Sequence, residues 1–326
     1  MMIGLSGIGS YVPKEKISVD EIASHFDLER RGRIGVKNVP HESKLTATQM
    51  AVIASKGAME DAGVTPLSID LIMNTQASTH DYLMWQVSGA IQNELQAWNS
   101  TFLDIYQGCS GFVAGLVAAK RFLQADENID TILVNTSEKW EAAIKKRIIG
   151  GYVFGEAGVA AIVQRYSKGN FILGHSMIGR GDLNDVSRME IGAINLPEKT
   201  HDEEWYYYHI TNIEKAKKVM IPINIDMFYK VGEEAIRNSG LAWEDINYMI
   251  FPNIRFGVFE KMIEKFKVDP KRTNLRYIEE TGDCSTADAL LNYHRMLNDG
   301  ILQKGDNVLI LSQGAGTTWA AVVIQV

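Results

Sequence analysis

The chain has 326 residues, 46% hydrophobic and 22% charged, with 7 Pro, a composition that excludes disordered, collagen-like and disulfide-stapled classes. Its 33 Lys and Arg against 40 Asp and Glu leave a net charge of −7, which argues against nucleic acid as a partner. The length suffices for two domains or one two-lobed body.

The chain opens on Met-Met-Ile-Gly-Leu-Ser-Gly-Ile-Gly, apolar but without a basic residue before Lys14 and broken by Pro13, so it reads as a buried strand and not a signal peptide. Gly7-Ile-Gly9 lacks the third glycine of a dinucleotide loop, and no strand–turn–helix unit follows it. A helix is then expected to end at Gly63, where a left-handed cap favours glycine, with a strand from Ile69. Gly-Cys-Ser at Cys109 opens a helical pattern in which Phe112, Leu116, Ala119 and Leu123 fall on one face. Strands follow at 131–135 and 159–163.

The same series returns in the second half. A helix end at Gly240, a strand from Ile246, Asp-Cys-Ser at Cys284, a helix with Leu290, Tyr293 and Leu297 on one face, and strands at 307–311 and 320–324 repeat the order. The cysteines lie 46 and 44 residues beyond their respective helix-ending glycines. Alternating strands and helices predict an α/β fold of two similar halves, 1–168 and 169–326, with mostly parallel strands buried on both faces. Residues 169–220 break the repeat and read as an insertion that caps a site. No apolar run approaches the roughly 18 residues of a membrane-spanning helix. Two cysteines suggest a reducing compartment, and a cytoplasmic protein is expected.

Cys109 is the foremost candidate for chemistry. At the first turn of a helix, unpaired N–H groups and the helix dipole favour a thiolate, making a nucleophile of a residue that is otherwise a small buried hydrophobe. Cys284 has Asp283 in place of the flanking glycine, which would raise its pKa, and reads as structural. No spacing of His or Cys indicates a metal site. His80 and His209 are candidates for a general base or satisfied imidazoles. The aromatic run Trp205, Tyr206, Tyr207, Tyr208 and His209 lines an acyl pocket or anchors a surface loop.

Gly7-Ile-Gly-Ser-Tyr-Val-Pro, Ser78-Thr-His, Asp104-Ile-Tyr-Gln-Gly-Cys-Ser-Gly-Phe, Phe154-Gly-Glu-Ala-Gly, Gly282-Asp-Cys-Ser-Thr-Ala and Gln313-Gly-Ala-Gly-Thr-Thr-Trp together resemble the β-ketoacyl-ACP synthase III-like enzymes of the thiolase superfamily, over the whole chain. The resemblance implies the thiolase fold, duplicated βαβαβαββ halves packed as five layers, and a homodimer through the nucleophile half in which residues 80–84 reach the other subunit's pocket. It implies acyl transfer to Cys109 from acyl-CoA or acyl carrier protein, with no permanent cofactor beyond the CoA or phosphopantetheine thioester of the substrate. It also implies an oxyanion hole from the N–H groups of Cys109 and Gly316, and Arg33 as a donor-binding residue.

The chain departs from this family at two catalytic positions. The family's histidine motif falls on Phe251-Pro-Asn-Ile-Arg, so Asn253 stands where the histidine should be, and the family's asparagine falls on Asp283. An ionised Asp283 would repel the enolate of a decarboxylative condensation but suits activation of a hydroxyl or amine. The favoured expectation is an acyltransferase of specialised metabolism that passes an acyl group from Cys109 to a small-molecule O or N acceptor, with Cys109, Asn253 and Asp283 in the catalytic site. The alternatives are carbon–carbon condensation with a malonyl thioester and a non-catalytic partner subunit. The family's adenine-stacking Trp falls near Glu29, so a carrier protein is a candidate donor. It would dock on Lys145, Lys146 and Arg147 or on Lys215, Lys217 and Lys218.

Overall fold

The computed structural model describes residues 2–24, 34–78, 80–141, 143–196, 203–315 and 317–326. Nine strands form the principal sheet: β1 (Ile3–Tyr11), β2 (Leu71–Gln76), β3 (Thr101–Tyr106), β4 (Thr131–Glu138), β5 (Ala157–Arg165), β6 (Phe171–Gly179), β7 (Tyr248–Ile250), β8 (Asn307–Gly314) and β9 (Thr318–Gln325). Their spatial order is β7-β8-β9-β6-β1-β5-β4-β2-β3. Six helices matter for the site: α1 (Ala47–Ala62), α2 (Val87–Leu95), α3 (Gly111–Ala125), α4 (Ile221–Ser239), α5 (Phe256–Phe266) and α6 (Asp288–Asn298).

The internal repeat is visible in the strand order. Running outward from β1 the order is β1-β5-β4-β2-β3, and running outward from β6 it is β6-β9-β8-β7. The two series meet at a single antiparallel pair, Gly4 opposite Phe171. The second series lacks a counterpart of β3 except for one parallel bridge, Met249 to Thr273. Antiparallel pairings outnumber parallel ones, contrary to the expectation of mostly parallel strands. The cause is the pairing of β4 with β5 and of β8 with β9, strands joined without a crossover helix and therefore free to run antiparallel.

Alternation along each strand sorts its side chains into layers. Ile132 and Val134 face a central core, while Leu133 between them faces the outer helices α1 and α2. In β8, Val308 and Ile310 join the central core and Leu309 and Leu311 join the outer core against α4 and α5. The central core is filled by Phe112, Leu116 and Leu123 of α3 and by Leu290, Tyr293 and Met296 of α6. Helices, sheet, helices, sheet and helices therefore stack as the five layers of a thiolase fold. No helix among the described residues is long and apolar enough to cross a membrane.

Glycines set the spacing of the outer layers. A Cβ on Gly9 would stand 2.1 Å from the Ala54 carbonyl oxygen of α1, and one on Gly174 would stand 2.3 Å from that of Ala235 in α4. Gly7-Ile-Gly9 thus lets a helix lie directly on β1, which accounts for its glycines without a nucleotide. The helix ends at Gly63 (φ 66°) and Gly240 (φ 78°) are left-handed, as the sequence predicts. The strands that follow start at Leu71 and Tyr248, two residues later than expected, because a single turn, Pro66–Ser68 or Trp243–Asp245, intervenes.

Candidate active site

The site lies at the carboxyl ends of the strands, where parallel strands direct the chain into the central helices. Cys109 sits in the turn Gly108–Ser110 between β3 and α3, and residues 283–285 precede α6, so the N-termini of both central helices converge. The turn carrying Cys109 is clamped from the second half. The Ser312 hydroxyl donates to the Cys109 carbonyl (2.8 Å) and the Gln107 amide to Thr318 Oγ1 (2.9 Å). Gly108 is left-handed (φ 59°), and a Cβ there would meet the Ala315 nitrogen at 2.7 Å. A side chain at 108 would therefore separate the halves.

Asp283 is held by backbone pairing to residues 153–155. Its N–H donates to the Val153 carbonyl and its carbonyl accepts from Gly155, both at 2.9 Å. Its Oδ1 accepts the Ser285 N–H at 2.7 Å, and no hydrogen bond from the described residues reaches Oδ2. Burial pushes this carboxyl up to about 7, with the Ser285 N–H opposing the rise. The Asp283 carboxyl is thus poised around neutrality and not fully ionised.

Cys109 is only partly exposed, and its thiol is pushed far above the ordinary range. Burial is the largest cause and the Asp283 charge the next, with Glu138 and Asp288 adding to it. The helix start was expected to lower this pKa. Three buried carboxyls from two distant segments, Glu138 at the end of β4 and Asp283 and Asp288 before and at the start of α6, act in the opposite sense. Among the described residues, it is the Ser285 hydroxyl, 3.0 Å from Cys109 Sγ, that acts in favour of the thiolate.

Glu138, at the end of β4, is fully buried and pushed up to about 7 by burial. It accepts from the Ala77 N–H (2.7 Å) and the hydroxyls of Thr286 (2.8 Å) and Ser78 (2.6 Å). Asn253 is drawn into a different network. Its amide nitrogen donates to Asp288 Oδ1 (3.1 Å) and its oxygen accepts from Asn274 (2.9 Å) and Asn292 (3.0 Å). Asp288 also accepts the Cys284 N–H (2.9 Å), and burial and the Asp283 charge hold it well above the usual carboxylate range. Cys284 is fully buried, unpaired and raised well above a normal thiol, chiefly by burial.

Among the described residues, neither candidate histidine is bonded to the Cys109 sulfur. The His209 ring contacts the Tyr207 carbonyl through Nδ1 (2.9 Å) and Glu190 through Nε2 (3.2 Å). His80 Nε2 is 2.7 Å from the Ser137 carbonyl, and burial lowers its pKa to about 4. From the aromatic run, it is Tyr208 that enters the site. Its N–H donates to the Ala143 carbonyl (2.8 Å), it packs with Trp140, Ile144 and Phe154, and the Cys109 charge helps raise it to about 12 after burial and against the Ser187 hydrogen bond.

Arg147 is no docking cation: its side chain is 6% exposed and its Nη2 lies 2.6 Å from Glu156 Oε1 and 2.7 Å from His41 Nδ1. Lys145 pairs with Glu203, Lys215 with Asp185 and Lys218 with Glu214. Arg33 and Gly316 lie outside the described residues. Among the described residues no group of His, Cys, Asp or Glu is placed to hold a metal ion. Sequence reasoning missed Ser285 and Glu138, and named Tyr208 only as a member of the aromatic run. The signal for Glu138 was an acidic residue ending an apolar strand, and for Ser285 the repeated Cys-Ser pair.

The model of the 3-oxoacyl-[acyl-carrier-protein] synthase III family matches residues 103–181, and that of the family's C-terminal part matches residues 236–326. The chain is a 3-oxoacyl-[acyl-carrier-protein] synthase III-like protein. Similar synthase III sequences include that of Caldanaerobacter subterraneus subsp. tengcongensis, 26% identical over 99% of this chain and 97% of its own. Synthase III 1 of Bacillus cereus is 24% identical over 100% and 99%. The solved structure of synthase III from Aquifex aeolicus covers 99% of this chain and 100% of its own with a TM-score of 0.84 at 23% identity. The acyltransferase ChlB3 covers 100% and 98% with a TM-score of 0.87 at 18% identity, which shows the shared fold. The synthase III-like family is one of cysteine-dependent enzymes that use acyl-CoA and acyl-carrier thioesters without a permanent cofactor. In this synthase III-like chain the matched residues 103–181 contain Cys109 and Glu138, and the matched residues 236–326 contain Asn253, Asp283 and Ser285.

Proposed function

We propose that this chain is an acyltransferase of the synthase III type. Cys109 takes an acyl group from acyl-CoA or an acyl carrier protein and passes it to the oxygen or nitrogen of a small acceptor in specialised metabolism. The observation that carries this reading is Asp283, which stands where the resemblance places an asparagine, with one oxygen engaged by Ser285 and the other without a hydrogen bond from the described residues. A carboxyl held near 7 is suited to take the proton of an incoming hydroxyl or amine. Asn253, engaged at both ends of its amide, supports the Asp288 network that shapes residues 283–285 and replaces no proton-shuttling histidine.

In this reading residues 1–168 bring the nucleophile and 169–326 the acceptor side, with about 169–220 as the cap through which Tyr208 reaches the pocket. The oxyanion hole is assigned to the N–H groups of Cys109 and Gly316, donor binding to Arg33, and the setting to the cytoplasm. Mass spectrometry of the intact protein after incubation with acyl-CoAs and acyl-carrier proteins tests the assignment. A mass gain lost in Cys109→Ala and cleared by an alcohol or amine is expected. Clearance by malonyl thioester with release of carbon dioxide would instead establish condensation, and no gain with any donor would favour a non-catalytic partner subunit.

A homodimer belongs to the same proposal. β3 is the free edge of the sheet, and Tyr82, Leu83, Met84, Trp98 and Tyr106 expose apolar side chains, Leu83 80% and Met84 106%. Residues 80–84 of a second copy would then border the pocket. Sedimentation is expected to give a dimer that Leu83→Asp shifts toward monomer, and a monomeric native protein at micromolar concentration would remove the dimer from the reading.

A further inference from the structure

Ser285 occupies a position that a residue with a Cβ seldom adopts. Its φ is 58°, and it is held there by its own N–H bonded to Asp283 Oδ1 (2.7 Å), while the flanking Cys284 N–H is bonded to Asp288 Oδ1 (2.9 Å). Two buried carboxyls thus fix the backbone so that the Ser285 hydroxyl points at Cys109 Sγ, 3.0 Å away. The other hydroxyls and imidazoles of the site are engaged elsewhere. Thr286 donates to Glu138, Ser110 to the Gln107 carbonyl, Ser312 to the Cys109 carbonyl, and the two candidate histidines are bonded away from the sulfur. Among the described residues, only Ser285 donates a hydrogen bond to the Cys109 sulfur.

We propose that Ser285 is a catalytic residue, the donor that stabilises the Cys109 thiolate in both half-reactions, a task left open where Asn253 stands in place of histidine. The assignment rests on Cys109 being the acyl carrier. In the first half-reaction Sγ bonds to the carbonyl carbon of the donor thioester and the bond from that carbon to the donor's sulfur breaks. The donor thiolate leaves with the proton that Cys109 has lost. In the second, the acceptor attacks the same carbon and its proton passes to Asp283, and the bond from carbon to Sγ breaks. The departing thiolate is again met by the Ser285 hydroxyl and then takes back the proton from Asp283. Ser285 keeps its own proton throughout, acting as a fixed dipole and not a shuttle.

The test is the rate of Cys109 alkylation by iodoacetamide between pH 6 and pH 10, read by peptide mass in the native protein, Ser285→Ala and Ser285→Gly. Below its midpoint the rate follows the thiolate fraction, so loss of the donor should slow alkylation at each pH by about three- to tenfold. The smaller figure allows for the greater nucleophilicity of a more basic thiolate. Glycine tolerates φ 58° without strain, so Ser285→Gly should melt no lower than the native protein while losing the same reactivity. Unchanged profiles in both variants overturn the proposal. Because alkylation needs neither acyl donor nor acceptor, a shifted profile in a protein that no donor labels would uphold Ser285 and reject the acyl-transfer reading.

Discussion

Asp283→Asn is expected to leave acylation of Cys109 intact and to slow transfer to the acceptor by roughly 10²- to 10⁴-fold, the usual contribution of a positioned general base. The amide has the volume of the carboxylate and keeps an oxygen that can accept the Ser285 N–H, so the turn carrying Ser285 should persist. What disappears is the proton-accepting oxygen. Because Asp283 ionises at about 7, transfer from a preformed acyl-enzyme should rise with pH through that region in the native protein and be flat in the variant. Single-turnover decay of the acyl-enzyme mass, followed from pH 5.5 to pH 8.5, measures both effects. Transfer by Asp283→Asn at the native rate would show that Asp283 only positions Ser285.

The duplication was legible because the features that repeat are local. Helix-ending glycines at 63 and 240, the Cys-Ser pairs before α3 and α6, and apolar faces spaced for helices can all be read without tertiary information. Strand direction was not legible, since the antiparallel pairing of β4 with β5 depends on what 18 intervening residues do in space and not on the strands' own composition. The site failed in the same way. The local rule for a cysteine at a helix start predicts a lowered pKa, but the groups that govern Cys109 come from positions 138, 283 and 288. The choice between His209 and Tyr208 shows how narrow the margin is. Neighbouring residues of an extended segment project to opposite sides, so the pattern located the segment while the tyrosine, one position earlier, took the inner side.

Glu138→Gln should stabilise the fold at pH 8 by on the order of 3 kcal/mol and change little at pH 5, because the native protein buries a group whose charged form it disfavours. Glu138 has an ordinary value of 4.5 and is held at about 7 when folded, so its contribution is fully present below about 4.5 and is lost as pH rises through 7. Asp283 runs in the same direction, from 3.8 to about 7. His80 opposes them: its folded value of about 4 lies below 6.5, so its contribution is present above 6.5 and lost as pH falls through 4. Taken together, these three groups favour the folded state more near pH 5 than near pH 8. Glutamine fits the position, since its oxygen can accept from Ala77 and Thr286 while its amide donates to the Ser78 hydroxyl, which is free to reverse its role. Thermal or urea unfolding at the two pH values decides the matter. Equal stability of Glu138→Gln and the native protein at pH 8 would mean that the buried carboxyl costs nothing, and that the acidic surround of Cys109 is solvated well enough to leave its thiol near the ordinary range.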